Sequence, residues 1–395
     1  MEQYSYWQRA KQLLITGLVI STIFLAGCNT NSQMQSGASG PDGANGKGCN
    51  RVGVLLPDTT SSPRWEQYDH PLLIGAIDAA IPGVHIDYNN AHGVSDTQIA
   101  VAKQDLAQGD CILVISSVDS VASAQIVSAA KAQNVPVIAY DRLIESSATN
   151  YYVSFDGVAV GKLQAQYIVD NYQKFSAINQ TTGVGHTNVF MISGSQTDTN
   201  ALLFSKGVHE ILDPYFADKT LTFQNEVFTP GWSGPLAATE AAVALSNASR
   251  NIQILYVAND DMAANVIDTM TKMGINNSGG NNVLITGQDA SVVGIRNILL
   301  GNQSMTVYKP VVKETLGVGA LVKALHNGTS TAAITGGQTS ATSDGGSIPS
   351  VLVQPIPVDI TNIRPTVLKD NYVKLSDICQ GVTNAAAASI CTPHS

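Results

Sequence analysis

The feature that most constrains the fold is an alternation of short apolar runs with longer Ala-rich stretches. The runs are bounded by Gly, Pro, Asn or Asp, as in Cys111–Ser116, whereas the stretches between them, such as Thr97–Gln108, carry good helix formers. Strands that alternate with helices in this way predict parallel β-sheets with helices on both faces. Near-continuous apolar runs such as Ile112–Ile115 fit strands that are buried on both sides. The sequence therefore predicts the α/β class.

The alternation occurs twice, which predicts two similar α/β lobes. In the first half we expect strands at Val52–Pro57, His85–Tyr88, Cys111–Ser116, Val135–Tyr140 and Tyr151–Phe155, with helices near Leu72–Ala80, Thr97–Gln108 and Ser120–Ala132. In the second half we expect strands at Asn188–Ile192, Phe223–Phe228, Ile252–Val257, Val283–Thr286 and Met305–Tyr308, with helices near Ala201–Leu212, Leu236–Leu245 and Met262–Met273.

The N-terminal segment differs in character from the rest of the chain. Arg9 and Lys11 precede an apolar run, Leu13–Ala26, which is followed by Gly27-Cys28. A run this short predicts a secretion signal over residues 1–27, because a membrane-spanning helix needs about 20 apolar residues. An uncleaved membrane anchor is the alternative. Leu-Ala-Gly-Cys resembles the bacterial lipobox, which implies that Cys28 is acylated and anchors an extracytoplasmic lipoprotein to the cell membrane.

Residues 28–48 precede the folded body, and the cysteines within the body are candidates for disulfide bonds. The segment is rich in Gly, Ser and Asn, so we expect a flexible tether and a folded body from Cys49 onward. Of the five cysteines, four remain after Cys28, and an even remainder in an exported protein predicts disulfides. Cys379 and Cys391 would close a short loop, and Cys49 and Cys111 each precede an expected strand. A buried free thiol is the alternative for each cysteine.

Composition and motifs exclude several function classes. Charged residues are 13% of the chain and hydrophobic residues 44%, and the net charge is −9 without a basic cluster, which argues against nucleic-acid binding. The seven histidines lack metal-ligand spacing, so we expect no metal and no cofactor. The chain has no Gly-x-Ser-x-Gly nucleophile motif and no Gly-x4-Gly-Lys-Ser/Thr phosphate loop, so we expect that the protein is not an enzyme.

Polar side chains follow the ends of the expected strands. In parallel sheets ligands bind beyond these carboxyl ends, so such side chains converge on one cleft. Carboxylates, amides and cations without a nucleophile suit sugar hydroxyls, which both donate and accept hydrogen bonds. The residues concerned are Asp58, Asp141, Arg142, Ser195, Asp198, Asn200, Asn259, Asp260, Asp289 and Lys309.

From about Arg51 to Lys374 the sequence resembles the xylose-binding branch of the type I periplasmic sugar-binding proteins. The resemblance implies two Rossmann-like lobes, joined by a three-segment hinge, that close on a monosaccharide and deliver it to an ABC permease. D-xylose is the favoured sugar, although Pro57–Pro63 is more similar to glucose- and arabinose-type relatives. The stretches that carry the resemblance are Tyr140–Ile144, Ser154–Asp156, Val160-Gly161, Gly194-Ser195, Asp198, Asn200-Ala201, Asn259-Asp260, Gly287–Ala290 and Met305–Pro310.

The resemblance also implies sugar contacts. We expect the two tryptophans to sandwich the sugar ring. We expect the aspartates and Asn259 to accept hydroxyl hydrogens, and the cations and Asn200 to donate hydrogen bonds. The matching positions are Arg64, Trp65, Asp141, Arg142, Asn200, Trp232, Asn259, Asp289 and Lys309.

Lobe boundaries follow from the same resemblance. We expect a monomer whose N-terminal lobe comprises residues 49–155 plus 306–350 and whose C-terminal lobe comprises residues 156–305 plus 351–395. The chain should cross between the lobes near Asp156–Gly157, Ser304–Met305 and Val351–Pro355.

Each candidate has a structural alternative. The tryptophans could be core residues, and Asp141-Arg142 could be a structural ion pair. Asn259 and Asp289 could cap the helices that follow them, with Asp260 a better capping candidate than Asn259. The alternative function is a receptor domain that senses glucose, galactose or arabinose for chemotaxis or signalling.

Overall fold

A computed structural model describes residues 46–180, 187–247, 251–275 and 283–392, with side chains omitted at 176–180. The expected secretion signal 1–27, the acylation site Cys28 and the tether up to residue 45 lie outside the described residues. Within those residues, no helix combines the length and apolar character needed to cross a membrane.

The strands and helices follow the alternation expected from the sequence. The strands are β1 (Arg51–Leu56), β2 (His85–Asn90), β3 (Ile112–Ile115), β4 (Val137–Tyr140), β5 (Tyr151–Phe155), β6 (Thr187–Ser193), β7 (Leu221–Phe228), β8 (Ile252–Val257), β9 (Leu284–Ile285), β10 (Thr306–Tyr308), β11 (Thr339–Ala341), β12 (Ser347–Val353) and β13 (Ile356–Val358). The helices are α1 (His70–Ala80), α2 (Ser95–Gln108), α3 (Ala124–Ala132), α4 (Gly157–Gln180), α5 (Thr199–Ala217), α6 (Gly234–Ser246), α7 (Asp260–Lys272), α8 (Val292–Leu300), α9 (Val311–Asn327), α10 (Ala332–Thr335), α11 (Leu375–Ile378) and α12 (Ala385–Cys391). Short helical turns cover Trp65–Asp69, Pro230–Trp232 and Arg364–Leu368.

The first lobe is built on a seven-stranded sheet in the order β11-β12-β5-β4-β3-β1-β2. All its pairs are parallel except β11 with β12, which is antiparallel. Because side chains alternate across a strand, Val54 packs on one face with Leu73 of α1, whereas Leu55 packs on the other with Ile126 of α3. Helices therefore cover both faces, and the predicted α/β class is confirmed.

The second lobe is built on a four-stranded parallel sheet in the order β7-β6-β8-β9. Its central strand β8 is buried along its whole length. Met191 of β6, Val208 of α5 and Val266 of α7 belong to the same apolar core. Both sheets thus present the carboxyl ends of parallel strands, which is the edge where α/β folds bind ligands.

We propose three segments that connect the lobes: Asp156, Lys309-Pro310, and the residues between β12 and β13. The second of them lies away from the expected position. The first is Asp156, whose N–H donates to the carbonyl of Val353 (3.2 Å) at the end of β12. We place the return to the first lobe at Lys309-Pro310, between β10 and α9, instead of at Ser304–Met305. Ser304 instead hydrogen-bonds Ile285 of the second sheet.

The expected lobe boundaries shift accordingly. Strand β12 continues in the first sheet to Val353, three residues past 350, because Ser350–Val353 pairs with Tyr152–Phe155 of β5. Strand β10 pairs antiparallel with β13, and Val307 packs in the core of the second lobe, so 306–308 extends that lobe. We propose 49–155 plus 310–353 as the first lobe and 157–308 plus 356–392 as the second.

Two disulfides join the cysteines of the body. Cys49 and Cys111, with Cα atoms 5.5 Å apart, link the residues ahead of β1 and β3. Cys379 and Cys391, with Cα atoms 5.6 Å apart, link α11 to α12. The second bond lies in the segment that follows β13, which packs against α8.

His209 of α5 generates a prediction about stability. Its Nδ1 lies 2.7 Å from Asp213 Oδ1 and its Nε2 lies 3.2 Å from Glu226 Oε2. Hydrogen bonds to Glu226 and Asp213 outweigh partial burial and raise the pKa of His209 to about 9. A raised histidine pKa means that the folded state holds the proton more tightly, so the stabilisation is complete below about pH 6.5 and is lost towards pH 9.

We therefore expect His209→Gln to lower the free energy of unfolding by about 1 kcal/mol at pH 6, since partly exposed ion pairs are screened. The difference from the parent chain should disappear by pH 10. Urea unfolding measured between pH 6 and pH 10 checks this, with Gln173→Ala on exposed α4 as the control. A difference that stays constant over this range would contradict the ion-pair assignment.

Candidate ligand-binding site

All nine residues expected to contact a sugar line one cavity between the carboxyl ends of the two sheets. The nine are Arg64, Trp65, Asp141, Arg142, Asn200, Trp232, Asn259, Asp289 and Lys309. The sequence interpretation named Asp198 as a polar residue after a strand but not as a sugar contact, and it did not single out the other four lining residues, Ser61, Ser62, Phe204 and Gln288.

Three of the nine have a left-handed backbone. The φ angles are 56° at Asp141, 56° at Trp232 and 93° at Asp289. Residues with a Cβ rarely adopt this conformation, and where they do it is held by surrounding structure and often marks a functional site. Asp141 directly follows β4, where its N–H donates to the carbonyl of Val153 (2.8 Å). The turn aims its carboxylate into the cavity instead of along the sheet.

Arg64 is the central cation of the site. Its Nη1 lies 2.9 Å from Asp141 Oδ2 and 3.6 Å from Asp289 Oδ1. On its far side, Nε and Nη2 donate to the two carboxylate oxygens of Asp69 at 2.9 and 2.6 Å. A bidentate pair of this kind fixes the guanidinium plane. Asp69 also accepts a hydrogen bond from Tyr140 Oη (2.5 Å).

Lys309 is the second cation, at the point where the chain returns to the first lobe. Its Nζ lies 3.0 Å from Asp289 Oδ1 and 3.6 Å from Asp141 Oδ2. Lys309, Asp141 and Asp289 are all buried. Charges this deeply buried require partners, and here each carboxylate contacts both Lys309 and Arg64.

These contacts set the charge states. Burial alone raises the pKa of Asp141, but Arg64, Lys309 and Arg142 together hold it below its ordinary value. Burial alone lowers the pKa of Arg64, but Asp141, Asp69 and Glu314 raise it well above its usual range. Asp141 and Arg64 are therefore ionised at neutral pH. Burial raises the pKa of Glu314 well above its ordinary value, so this carboxyl holds a proton readily.

Arg142 does not pair with its neighbour Asp141. Its Nε lies 2.9 Å from Asp198 Oδ2, and Asp198 also accepts from Trp232 Nε1 (3.1 Å). Burial raises the pKa of Asp198 above its ordinary value, although the charge of Arg142 lowers it in part. Asp198 thus positions one cation and one tryptophan of the cavity across the two lobes. The position of Asp198 after β6 indicated a cleft residue, but its contacts with Arg142 and Trp232 could not be read from the sequence.

The two tryptophans are both buried and part of the cavity wall. The guanidinium carbons of Arg64 and Arg142 lie 4.8 and 5.1 Å from the ring centroid of Trp65. Trp232 meets Phe204 edge-on, with centroids 6.2 Å apart. A Cβ at Gly194 would lie 2.2 Å from the Trp232 ring, so only glycine admits the indole there. The sandwich of a sugar ring between the tryptophans stays a prediction.

Amide side chains join the lobes across the cleft. Asn200 Nδ2 donates to the carbonyl and to Oδ1 of Asp141, each at 3.1 Å. Asn259 Nδ2 donates to the carbonyl of Ser61 (3.1 Å), while its Oδ1 accepts from the N–H of Met262 (2.9 Å). Asn259 therefore caps α7 and faces the cavity at once.

Two capping alternatives were wrong. Asp260 does not cap α7, because its carboxylate accepts from the N–H of Ser291 (2.8 Å) and from Gln303 Nε2 (2.7 Å). Asp289 does not cap α8, whose cap is Ser291. Asp289 is thereby left facing the cavity.

Several buried oxygens in the cavity have unfilled hydrogen-bonding capacity. Within the described part of the chain, Asp141 Oδ2, Asp289 Oδ1 and Gln288 Oε1 have no hydrogen-bond partner of good geometry. The first two contact cations only as ion pairs. Buried acceptors are normally satisfied, so these atoms are suited to accept hydrogen bonds from a polar ligand. Among the described residues no cluster of His, Cys, Asp and Glu could hold a metal ion.

Comparison with known proteins agrees with this architecture. Residues 52–329 match the family model described as a periplasmic binding protein domain. The D-xylose-binding periplasmic protein of Escherichia coli (strain K12) is 29% identical over 328 residues, 83% of this chain and 92% of that protein. The D-xylose-binding periplasmic protein of Haemophilus influenzae is 30% identical over 334 residues, 82% of this chain and 90% of that protein.

A solved structure supports the same assignment. The carbohydrate transporter solute-binding protein of Chloroflexus aurantiacus, in complex with D-glucose, superposes with a TM-score of 0.71 at 28% identity, covering 82% of this chain and 97% of that one. Proteins of this kind bind solutes without transforming them. The chain therefore belongs to the periplasmic binding protein domain family and is a solute-binding protein, not an enzyme.

Proposed function

We propose that the chain captures a monosaccharide, D-xylose in the first place, between its two lobes and delivers it to an ABC permease. The observation that carries this proposal is the convergence of buried carboxylates, cations and amides from both lobes on one cavity with unfilled acceptors. Ionised acceptors beside fixed donors match sugar hydroxyls, each of which donates one hydrogen bond and accepts others.

The two lobes contribute opposite halves of the contact set. Arg64, Asp141 and Arg142 come from the first lobe, and Asn200 and Asp289 from the second. A sugar that contacts both halves stabilises the closed arrangement over an open one, by as much as its contacts differ between the two. The closed form is then the one that a permease recognises.

The choice of sugar rests on the relatives. Two of them are D-xylose-binding proteins, a third, from Azospirillum brasilense, is a multiple sugar-binding protein at 30% identity, and solved structures at 28% and 26% identity contain glucose. Xylose and glucose differ by one hydroxymethyl group. We place xylose first because the sequence resembles the xylose-binding branch and two of these relatives carry that name.

Sensing is the second candidate function. The multiple sugar-binding periplasmic receptor of Rhizobium radiobacter is 27% identical over 338 residues. The same cavity and closure would then report a sugar such as glucose, galactose or arabinose to a signalling partner. Binding of the purified chain to its permease or to a sensor would separate the two roles.

The first test is calorimetric titration of the body from Gly46 onward with xylose, glucose, arabinose, galactose and ribose. We expect tight binding of at least one sugar, and a loss of about a hundredfold in affinity on Asp289→Ala, because hydrogen bonds to charged groups contribute about 1.5–3 kcal/mol. Trp232→Ala should also weaken binding. Asp268→Ala, on the exposed face of α7, should leave it unchanged. Absence of heat with all five sugars would overturn the monosaccharide proposal.

A second test compares the two carboxyl residues that contact Arg64 on the side away from the cavity, Asp69 and Glu314. Asp69→Asn should weaken sugar binding about tenfold, because an amide cannot accept both hydrogen bonds from Arg64 Nε and Nη2. Glu314→Gln, which changes a single longer contact (3.4 Å) with the same guanidinium, should stay within about twofold of the parent chain. Titration calorimetry together with thermal unfolding distinguishes affinity from stability. Equal losses in both variants would argue against the particular importance of the bidentate pair.

We also propose that acylated Cys28 anchors the protein at the membrane, outside the cytoplasm. Buried acyl methylenes contribute about 0.8 kcal/mol each, so Cys28→Ser should move the protein from the membrane fraction to the soluble fraction. Detergent phase separation and mass spectrometry of the N-terminus check this. A variant that stays in the membrane fraction with residues 1–27 intact would favour the uncleaved anchor.

A further inference from the structure

The segment after β13 packs on the second lobe beside the cavity. It contains the turn Arg364–Leu368 and the disulfide-linked α11 and α12, and it buries Ile363 and Ile378 against α8. None of the nine predicted site residues belongs to it. Within the segment, the buried Tyr372 hydrogen-bonds the site residue Asp289.

Tyr372 holds the backbone at Asp289. Its Oη donates a hydrogen bond to the carbonyl of Asp289 (3.1 Å). On the other side the N–H of Asp289 donates to the carbonyl of Val307 (2.8 Å). Asp289 has a φ of 93°, which a residue with a Cβ keeps only when its surroundings enforce it. Tyr372 therefore helps to define where the Asp289 carboxylate points.

The ring of Tyr372 also reaches the first lobe. It stacks on Tyr68, with centroids 4.6 Å apart and planes 27° apart, and its centroid lies 4.9 Å from that of Tyr308. Tyr68 lies in the Trp65–Asp69 turn of the first lobe, and Leu72 of α1 packs against the same apolar cluster. A surface cavity beside the stack is lined by Tyr68, Tyr372, Arg64 and Asp289, so the stack adjoins the ligand cavity.

We propose that Tyr372 is a positioning residue with two contacts, one that orients Asp289 and one that latches the closed lobes through Tyr68. The first contact rests on the proposed sugar-binding function. The second does not, because it acts on the two lobes whether or not a sugar is bound. Aromatic pairs stabilise beyond the area they bury, and this pair joins the Trp65–Asp69 turn of the first lobe to the C-terminal segment on the second. The C-terminal segment thereby lowers the rate of ligand release.

Two variants separate the contacts. Tyr68→Ala removes the stack and should increase the radius of gyration of the ligand-free protein in small-angle X-ray scattering. It should raise the sugar dissociation rate constant about fivefold and leave the association rate constant within about twofold. Tyr372→Phe keeps the stack and removes the hydrogen bond to Asp289, so it should raise dissociation about threefold without a change in the radius of gyration.

The matched control is Phe223→Ala, which removes an aromatic pair with Phe216 inside the second lobe and should change neither measurement. Unaltered scattering and unaltered dissociation in Tyr68→Ala would overturn the latch. An unaltered affinity in Tyr372→Phe would overturn its role at Asp289. If the parent chain binds none of the sugars tested, the proposed function fails while the scattering comparison still decides the latch.

Discussion

The site depends on the burial of one guanidinium. Arg64 is 3% exposed, and its two ends contact Asp69 on one side and Asp141 and Asp289 on the other. A buried charge is tolerated only where partners and hydrogen bonds replace water. The contacts with Asp69 fix the plane of Arg64 within the first lobe. The contact with Asp289, at 3.6 Å, reaches the second lobe, so the same cation links local structure to lobe closure.

The remaining polar groups of the cavity repeat this arrangement. Lys309 contacts one aspartate from each lobe, and Asp198 of the second lobe holds Arg142 of the first. Opposite charges that meet only across the cleft favour closure, and a ligand with many hydroxyls can exchange hydrogen bonds with all of them. The strands supply rigidity on each side, because Asp141 and Lys309 directly follow the buried strands β4 and β10. Under the proposed function, sugar binding and lobe closure are therefore coupled.

Much of this could be predicted from local pattern. The strand at Ile112–Ile115 is an unbroken apolar run, and residues such as Asp141 and Lys309 stand directly after a strand, where the fold class places ligands. Asp69 and Tyr372 had no such signal. Asp69 lies inside a helical turn, and Tyr372 follows a segment without a recognised pattern, so their roles arise from contacts with Arg64 and Asp289, which are distant in sequence. We place the crossing at Lys309-Pro310 and not at the expected Ser304–Met305 for a similar reason. Strand β10 pairs with β13, which is distant in sequence, and no local pattern shows this pairing.

The sequence by itself determined the α/β class and most of the order of strands and helices, because periodicity is a local property. Its resemblance to the type I sugar-binding proteins pointed to nine of the residues that line the cavity. Only the tertiary structure decided which charges pair. Arg142 pairs with Asp198 and not with adjacent Asp141, and Asn259 rather than Asp260 caps α7. The physical reason is that pairing energies depend on burial and on distances of a few ångströms between segments, which folding sets and sequence separation does not.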